Sequence, residues 1–314
     1  MTETSGHGRR TGLGRWGGLL AGLTVTCALA GCSSSSSATG TRTGSGAVVP
    51  VVAGENFWGD ITRQIGGVHV KVTSIITDPN ADPHSYETDP KDAAAMSAAG
   101  FVVLNGAGYD DFASKLLDAS PKASRTVLSL DKVVGLAGAN PNPHLWYNPP
   151  FVKAAADAIE AQLAKSDPAD AATFASNEAT FLAAYQPYVD TLAAIRSRYA
   201  GARIAYTERV PGYLVAAAGL VLGTPASFAQ SIEDGNDPSP ADTAAMDGAM
   251  NHKTVKVLLY NAQVTSPTTD KVKMLATASG VPIVGVSETI PRGEQDFQSW
   301  QIDQARAVLT ALGG

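Results

Sequence analysis

Twice along this 314-residue chain, short β-branched runs alternate with alanine-rich helical stretches, and a long segment with no strand signal separates the two series. The first series reads "AVVPVVA", "FWGDITRQIGG", "VHVKVTSII", "PKDAAAMSAAG", "FVVLNG", "DDFASKLLDAS" and "SRTVLSL". The second runs from "ARIAYTE" through "VKVLLYN" and "VPIVGVSE" to a last helical stretch, "WQIDQARAVLTALG". Strand-helix repetition requires crossover connections, which predicts mainly parallel sheets covered by helices on both faces. The expected fold class is α/β: two lobes, each with a roughly four-stranded sheet flanked by helices, joined by one long linker helix.

The linker is the strand-free segment from Pro168 to Tyr199, after a helix predicted over Val152 to Lys165. Its apolar residues Phe174, Phe181, Tyr185, Tyr188, Leu192, Ile195 and Tyr199 recur at sevens, fours and threes, which is one stripe of a continuous helix. At 1.5 Å per residue it spans roughly 45 Å. Pro187 is expected to kink it or mark a break. The stripe reads as packing against both lobes, and a stiff strut in place of a hinge predicts that the lobes move little. The predicted boundaries are 47–166 for the N-terminal lobe, 167–200 for the linker helix and 201–314 for the C-terminal lobe.

The first residues stand apart from this pattern. Arg9, Arg10 and Arg15 precede or open an apolar run, Trp16 to Ala30, that ends in "LAGC". That is the layout of a secretory signal over residues 1–31. "LAGC" resembles the lipobox of bacterial lipoproteins, which implies that Cys32 becomes lipidated and anchors the protein outside the cytoplasm, on the cell membrane. "GRRTGLG" matches a twin-arginine signal poorly, and the export route stays open. Residues 33–46, "SSSSSATGTRTGSG", cannot bury a core and read, with Cys32, as a flexible tether over 32–46. Cys27 leaves with the signal, so the mature domain carries no free thiol; disulfides, thiolate metal sites and cysteine nucleophiles are excluded. The −6 balance of 23 Lys and Arg against 29 Asp and Glu becomes −8 once Arg9, Arg10, Arg15 and Glu3 are removed. Nucleic acid is a poor partner for such a surface.

The chemistry lies in two proline-histidine loops. "DPHSYETDP" holds His84 between a strand and a helix whose N-cap is Asp89 and whose first residue is Pro90. "PNPHLWYNP" repeats the step with His144. Proline restricts the path of each loop and helps preorganise a ligand. In the second half, Glu208 and Glu288 stand at the ends of predicted strands, where open α/β sheets gather ligands. Two imidazoles facing two carboxylates would suit a divalent cation in the cleft between lobes. Taken singly, each glutamate is better read as an N-cap or surface ion pair. His69 and His252 flank predicted strands and read as exposed or capping residues. Asp237, Asn261 and Gln263 read first as loop-capping and turn residues, with support of the site by hydrogen bonds as the alternative.

From Val49 to Leu312 the chain resembles the metal-binding solute-binding lipoproteins of bacterial ABC importers for zinc and manganese. The resemblance rests on "VVAGENFWGDITRQIGGVHVKVTSII", "ADPHSYETDPKDAAAMSAAGFVVLNGAGYD" and "NPHLWYNP". It implies two α/β lobes joined by a long helix, with His84, His144 and Glu208 on three ligand positions. The fourth position usually carries Asp in this family, and Glu288 stands in the matching place. It also implies one transported divalent transition metal, Zn2+ or Mn2+, a cognate permease with its ATPase as partners, and a monomeric carrier. A glutamate at 208 and the lack of a histidine-rich insert lean towards manganese; zinc's tighter intrinsic binding keeps it open.

Two other classes compete. A hydrolase could use two histidines and a glutamate as a zinc site, although "HExxH", a nucleophile elbow and a phosphate loop do not occur in the sequence. A surface adhesin lipoprotein would have no need of the metal for stability.

Overall fold

A computed structural model describes residues 48–78 and 86–314. Two sheets organise them. The first contains Val49–Glu55 (β1), Val70–Ile76 (β2), Phe101–Leu104 (β3) and Thr126–Ser129 (β4), all parallel, in the order β2-β1-β3-β4. Between them run Asn56–Gly66 (α1), Pro90–Ala98 (α2) and Asp111–Ala119 (α3), with a single turn, Leu130–Val133 (α4), after the last strand. The helices Pro149–Ser166 (α5) and Ala171–Tyr199 (α6) then lead to the second half of the chain.

The second sheet contains Arg203–Tyr206 (β5), Val221–Leu222 (β6), Leu258–Asn261 (β7) and Ile283–Val286 (β8), again all parallel and in the equivalent order β6-β5-β7-β8. Its helices are Gly212–Ala217 (α7), Ala226–Glu233 (α8), Pro240–Asn251 (α9), Pro267–Ser279 (α10) and Phe297–Ala311 (α11). Every residue of β3 and β7 is buried, the pattern of strands covered on both faces. In each sheet the strand order reverses beside the first strand, which opens a crevice at the carboxyl ends of β1 and β3 and of β5 and β7.

Local chemistry sets the helix starts as the sequence predicts. Asp89 accepts from the backbone N–H of Lys91 and Asp92 at 2.6 and 3.1 Å, Asp92 returns a bond to the Asp89 N–H, and Pro90 fills the first helical position of α2. Ser266, Pro267 and Thr269 repeat the arrangement at α10.

The long helix α6 runs through Pro187 without a break. Pro187 and Ala183, the residue whose carbonyl loses its helical donor, both lie on the exposed face, where water can serve that carbonyl. The opposite face buries Phe174, Phe181, Tyr185, Tyr188, Leu192 and Ile195, while Tyr199 is half-buried.

This stripe enters a core shared by both halves. Phe57 of α1 packs on Trp146 with ring centres 4.1 Å apart, Tyr185 lies 5.1 Å from Tyr188 and 5.7 Å from Phe297 of α11, and all belong to one continuous cluster. Polar contacts cross the same boundary. Asn56 exchanges two 3.0 Å hydrogen bonds with the backbone of Ile290, and the Tyr147 hydroxyl donates to Ser287 O at 2.8 Å. Re-exposing one such aromatic ring costs on the order of 4–6 kcal/mol. Wide parting of the halves is therefore strongly disfavoured.

Two histidines test the sequence reading. His252 is exposed at the C-terminal cap of α9, as expected. His69 departs from expectation: it is 7% exposed, in a single 3-10 turn at Gly67–His69, because α5 and α6 meet over it.

Candidate metal site

Three of the four predicted donors come together at the carboxyl ends of the strands. His144 lies in the loop before the 3-10 turn Leu145–Tyr147, Glu208 stands two residues beyond β5, and Glu288 two beyond β8. They are 0%, 1% and 0% exposed. His144 Nε2 is 3.6 Å from Glu288 Oε2, and Asn261 Nδ2, at the end of β7, donates to Glu208 Oε2 at 2.9 Å and to Glu288 Oε1 at 2.8 Å. His84 and Cys32 lie outside the described residues.

Each donor is held in orientation. Asn142 Oδ1 accepts from the His144 backbone N–H at 3.0 Å and lies 2.6 Å from Nδ1. An amide oxygen can only accept, so Nδ1 carries a proton and Nε2 is the ring nitrogen turned towards Glu288. Asn142 is itself fixed from the second half of the chain: its Nδ2 donates to Arg209 O at 2.9 Å, and Tyr213 donates to its carbonyl at 3.0 Å. Gly212 makes this approach possible, since a Cβ there would stand 2.7 Å from Asn142 Nδ2. Arg209, one residue after Glu208, pairs with the buried Glu233 carboxylate at 2.6 Å.

Around Glu288, the Tyr109 hydroxyl donates to Oε2 at 2.9 Å, and the Glu288 N–H donates to Gln263 Oε1. The Gln263 backbone N–H donates to Asn261 Oδ1 at 3.1 Å, which turns the Asn261 amide so that its nitrogen faces both carboxylates. Asn261 and Gln263 therefore support the site, and the turn reading given to them from sequence is the minor part of their role. Asp237 is exposed and plays no such part.

The loop that delivers Tyr109 is unusual. Gly106, Ala107 and Gly108 have φ of 77°, 56° and 79°, three successive left-handed residues, and Ala107 is strained there. The turn is closed by Asp110, which accepts from the Asn105 and Gly106 N–H groups at 2.6 and 2.9 Å. Asn105 Nδ2 reaches Pro143 O at 2.9 Å and its Oδ1 accepts from Trp58 Nε1 at 3.1 Å, so the same turn braces the His144 loop. Burial pushes the Asp110 carboxyl up to about 6 despite its backbone donors. Burial, together with the Asp110 charge, raises Glu55 well above the usual carboxylate range.

Tyr109, Asn142 and Asn105 carry no periodic signal in the sequence, and the bond from Tyr109 to Glu288 joins residues 179 apart. Only the run of glycines in "NGAGYD" hints that the chain turns sharply at that point.

The donor set favours a cation. Two carboxylates with almost no exposure share one neutral amide, and a neutral donor orients charge without cancelling it. Imidazole with carboxylate oxygens suits first-row divalent metals.

The family described as zinc-uptake complex component A, periplasmic, matches residues 51–311. The chain belongs to that family. Among its relatives, the manganese-binding lipoprotein MntA of Bacillus subtilis is 30% identical over 169 residues, covering 52% of this chain and 54% of that protein. The metal ABC transporter substrate-binding lipoprotein ScbA of Streptococcus cristatus is 31% identical over 179 residues, with 53% and 54% covered. The chain thus spans about half the length of the curated relatives it matches. A manganese-bound S38A mutant of a periplasmic metal-binding protein from Candidatus Liberibacter asiaticus has the same fold, with a TM-score of 0.67 at 17% identity over 83% of this chain and 98% of that one. For this member of the zinc-uptake component A family, the two-lobed fold with its joining helix is thus that of a solved metal-binding protein.

Proposed function

We propose that this protein is the extracytoplasmic substrate-binding component of an ABC importer, which captures one Zn2+ or Mn2+ ion between its two lobes and delivers it to a membrane permease and its ATPase. The observation that carries this reading is the meeting of His144 with Glu208 and Glu288, from opposite halves of the chain, in a setting with almost no solvent exposure. His144, Glu208 and Glu288 are the proposed ligands on that geometry, and His84 joins them on the sequence reading. Cys32 is the proposed lipid attachment point, and no described helix is long and apolar enough to cross a membrane.

The site reads as a holder of cargo and not as an enzyme centre. Asn261, Tyr109 and Asn142 are engaged in orienting the proposed ligands, which is what capture needs. Because the halves share a core, loading is a small rearrangement of loops and side chains. The permease distinguishes loaded from empty carrier by that change. A tether on the membrane raises the carrier's local concentration near its permease.

The test is thermal unfolding of metal-stripped protein with and without added Zn2+ or Mn2+. At an ion concentration of 100 times Kd, a native-state ligand stabilises by about 2.7 kcal/mol. The melting temperature of the parent protein should rise accordingly, and His144→Ala and His84→Ala should each lose most of the rise. A full rise in both variants would remove the proposed site. Direct competition between the two ions then names the cargo.

A further inference from the structure

A second group of metal-ligating side chains lies away from this site, where the N-terminal half meets the joining helix. His69 belongs to the 3-10 turn between α1 and β2; Asp167 caps the end of α5, and Asp170 stands at the N-cap of α6. His69 Nδ1 is 3.1 Å from Asp170 Oδ2 and 3.9 Å from Asp167 Oδ2, and the three atoms all lie within 4.8 Å of one another. Their side chains are 9%, 15% and 10% exposed for His69, Asp170 and Asp167.

Two observations separate this group from an ordinary helix cap. First, an aspartate at an N-cap normally accepts from the N–H groups of the first turn. Neither Asp167, at the cap of the 3-10 turn Pro168–Asp170, nor Asp170 makes such a bond; their carboxylates turn to the imidazole. Second, His69 Nδ1 and the two facing oxygens make no hydrogen bond among the described residues, although the closest pair is only 3.1 Å apart. The nitrogen and oxygens crowd together in a spot nine-tenths closed to water at His69.

We propose that His69, Asp167 and Asp170 form a second binding site for a divalent transition-metal ion, separate from the transported cargo. One imidazole and two carboxylates offer a neutral nitrogen and two negative oxygens, the donor set of Zn2+, Mn2+ or Fe2+. Donors about 2.0–2.2 Å from a shared ion stand roughly 3–3.5 Å apart, so the two distances to Nδ1 need little adjustment. Phe174 sets its ring edge-on to His69, 5.5 Å centre to centre, and holds the imidazole in place. Beside it, Asn177 Nδ2 of α6 donates to Ile65 O of α1 at 2.9 Å. An ion at this point ties the turn before β2 to the first turn of the joining helix, and so stiffens the strut at its base without touching the cleft.

The experiment is the binding stoichiometry of the chelator-stripped full chain, by equilibrium dialysis with Zn2+ and by the visible absorption of Co2+. Two equivalents are expected for the parent protein, and one each for His69→Ala, Asp170→Asn and His144→Ala. Far-UV circular dichroism checks folding, and the near-isosteric Asp170→Asn guards against a local collapse in His69→Ala. Parent-level stoichiometry in both His69→Ala and Asp170→Asn overturns the second site. So does a parent protein that takes up one ion which His144→Ala abolishes, a result that leaves the cargo site standing. If His144→Ala instead keeps the parent stoichiometry while His69→Ala loses an equivalent, the second site stands and the cargo site falls.

Discussion

One side-chain nitrogen, Nδ2 of Asn261, donates to Glu208 at 2.9 Å and to Glu288 at 2.8 Å, so a single amide stands between two buried carboxylates. Asn261→Asp would replace the shared donor by a third acidic group. Without metal its stability should fall by about 2–4 kcal/mol, because buried like charges then face one another. Added Zn2+ or Mn2+ should recover part of that loss. Unfolding curves with and without metal check this, and an equal loss in both would show that no bound ion offsets the acidic charge at this point.

Tyr109 contributes one hydroxyl to Glu288 Oε2 at 2.9 Å. Tyr109→Phe removes a hydrogen bond to a charged acceptor, worth about 1.5–3 kcal/mol. Since the bond also aims the carboxylate, calorimetric titration should show metal binding weakened by about tenfold or more. Unchanged affinity would place Glu288 outside the ion's reach.

Ala107 is held at φ 56° between two glycines that share the left-handed region. Ala107→Gly should stabilise the protein by up to about 1 kcal/mol, less the extra entropy glycine brings to the unfolded chain. Denaturant unfolding measures it. A large destabilisation would mean that the Ala107 methyl packs against something essential.

Acidity at the first sheet gives a pH prediction. Burial lifts Asp110 from 3.8 to about 6, so the folded state holds this proton more tightly than the unfolded chain does. Stability from this group is therefore present below pH 4, falls as pH rises from 4 through 6, and is fully lost above, by about 3 kcal/mol at most. Glu55, raised as well by burial and by the Asp110 charge, acts in the same direction. Asp110→Asn should flatten the decline between pH 4 and pH 6 in denaturant unfolding. A decline as steep as the parent's would assign it to other groups.

The sequence carried the architecture because its signals are local. Strand runs and the stripe from Phe174 to Ile195 each report which face of an element is buried, and the buried faces match. The proline-histidine step and the strand-end glutamates likewise pointed to His144, Glu208 and Glu288 as candidate donors, since strand order gives each sheet a crevice at its carboxyl ends. The meeting of the two crevices is decided by how the halves pack. What the chain did not show in one dimension was the set of contacts that make donors usable. The Asn261 bridge, the Tyr109 hydroxyl and the Asn142 brace depend on side-chain direction across pairs far apart in sequence. His69 is the sharpest instance: its neighbours in sequence suggested exposure, and only the packing of α5 and α6 closed it against Asp167 and Asp170. Periodicity specifies burial of a face; the partner of a polar atom is decided by the three-dimensional meeting of elements.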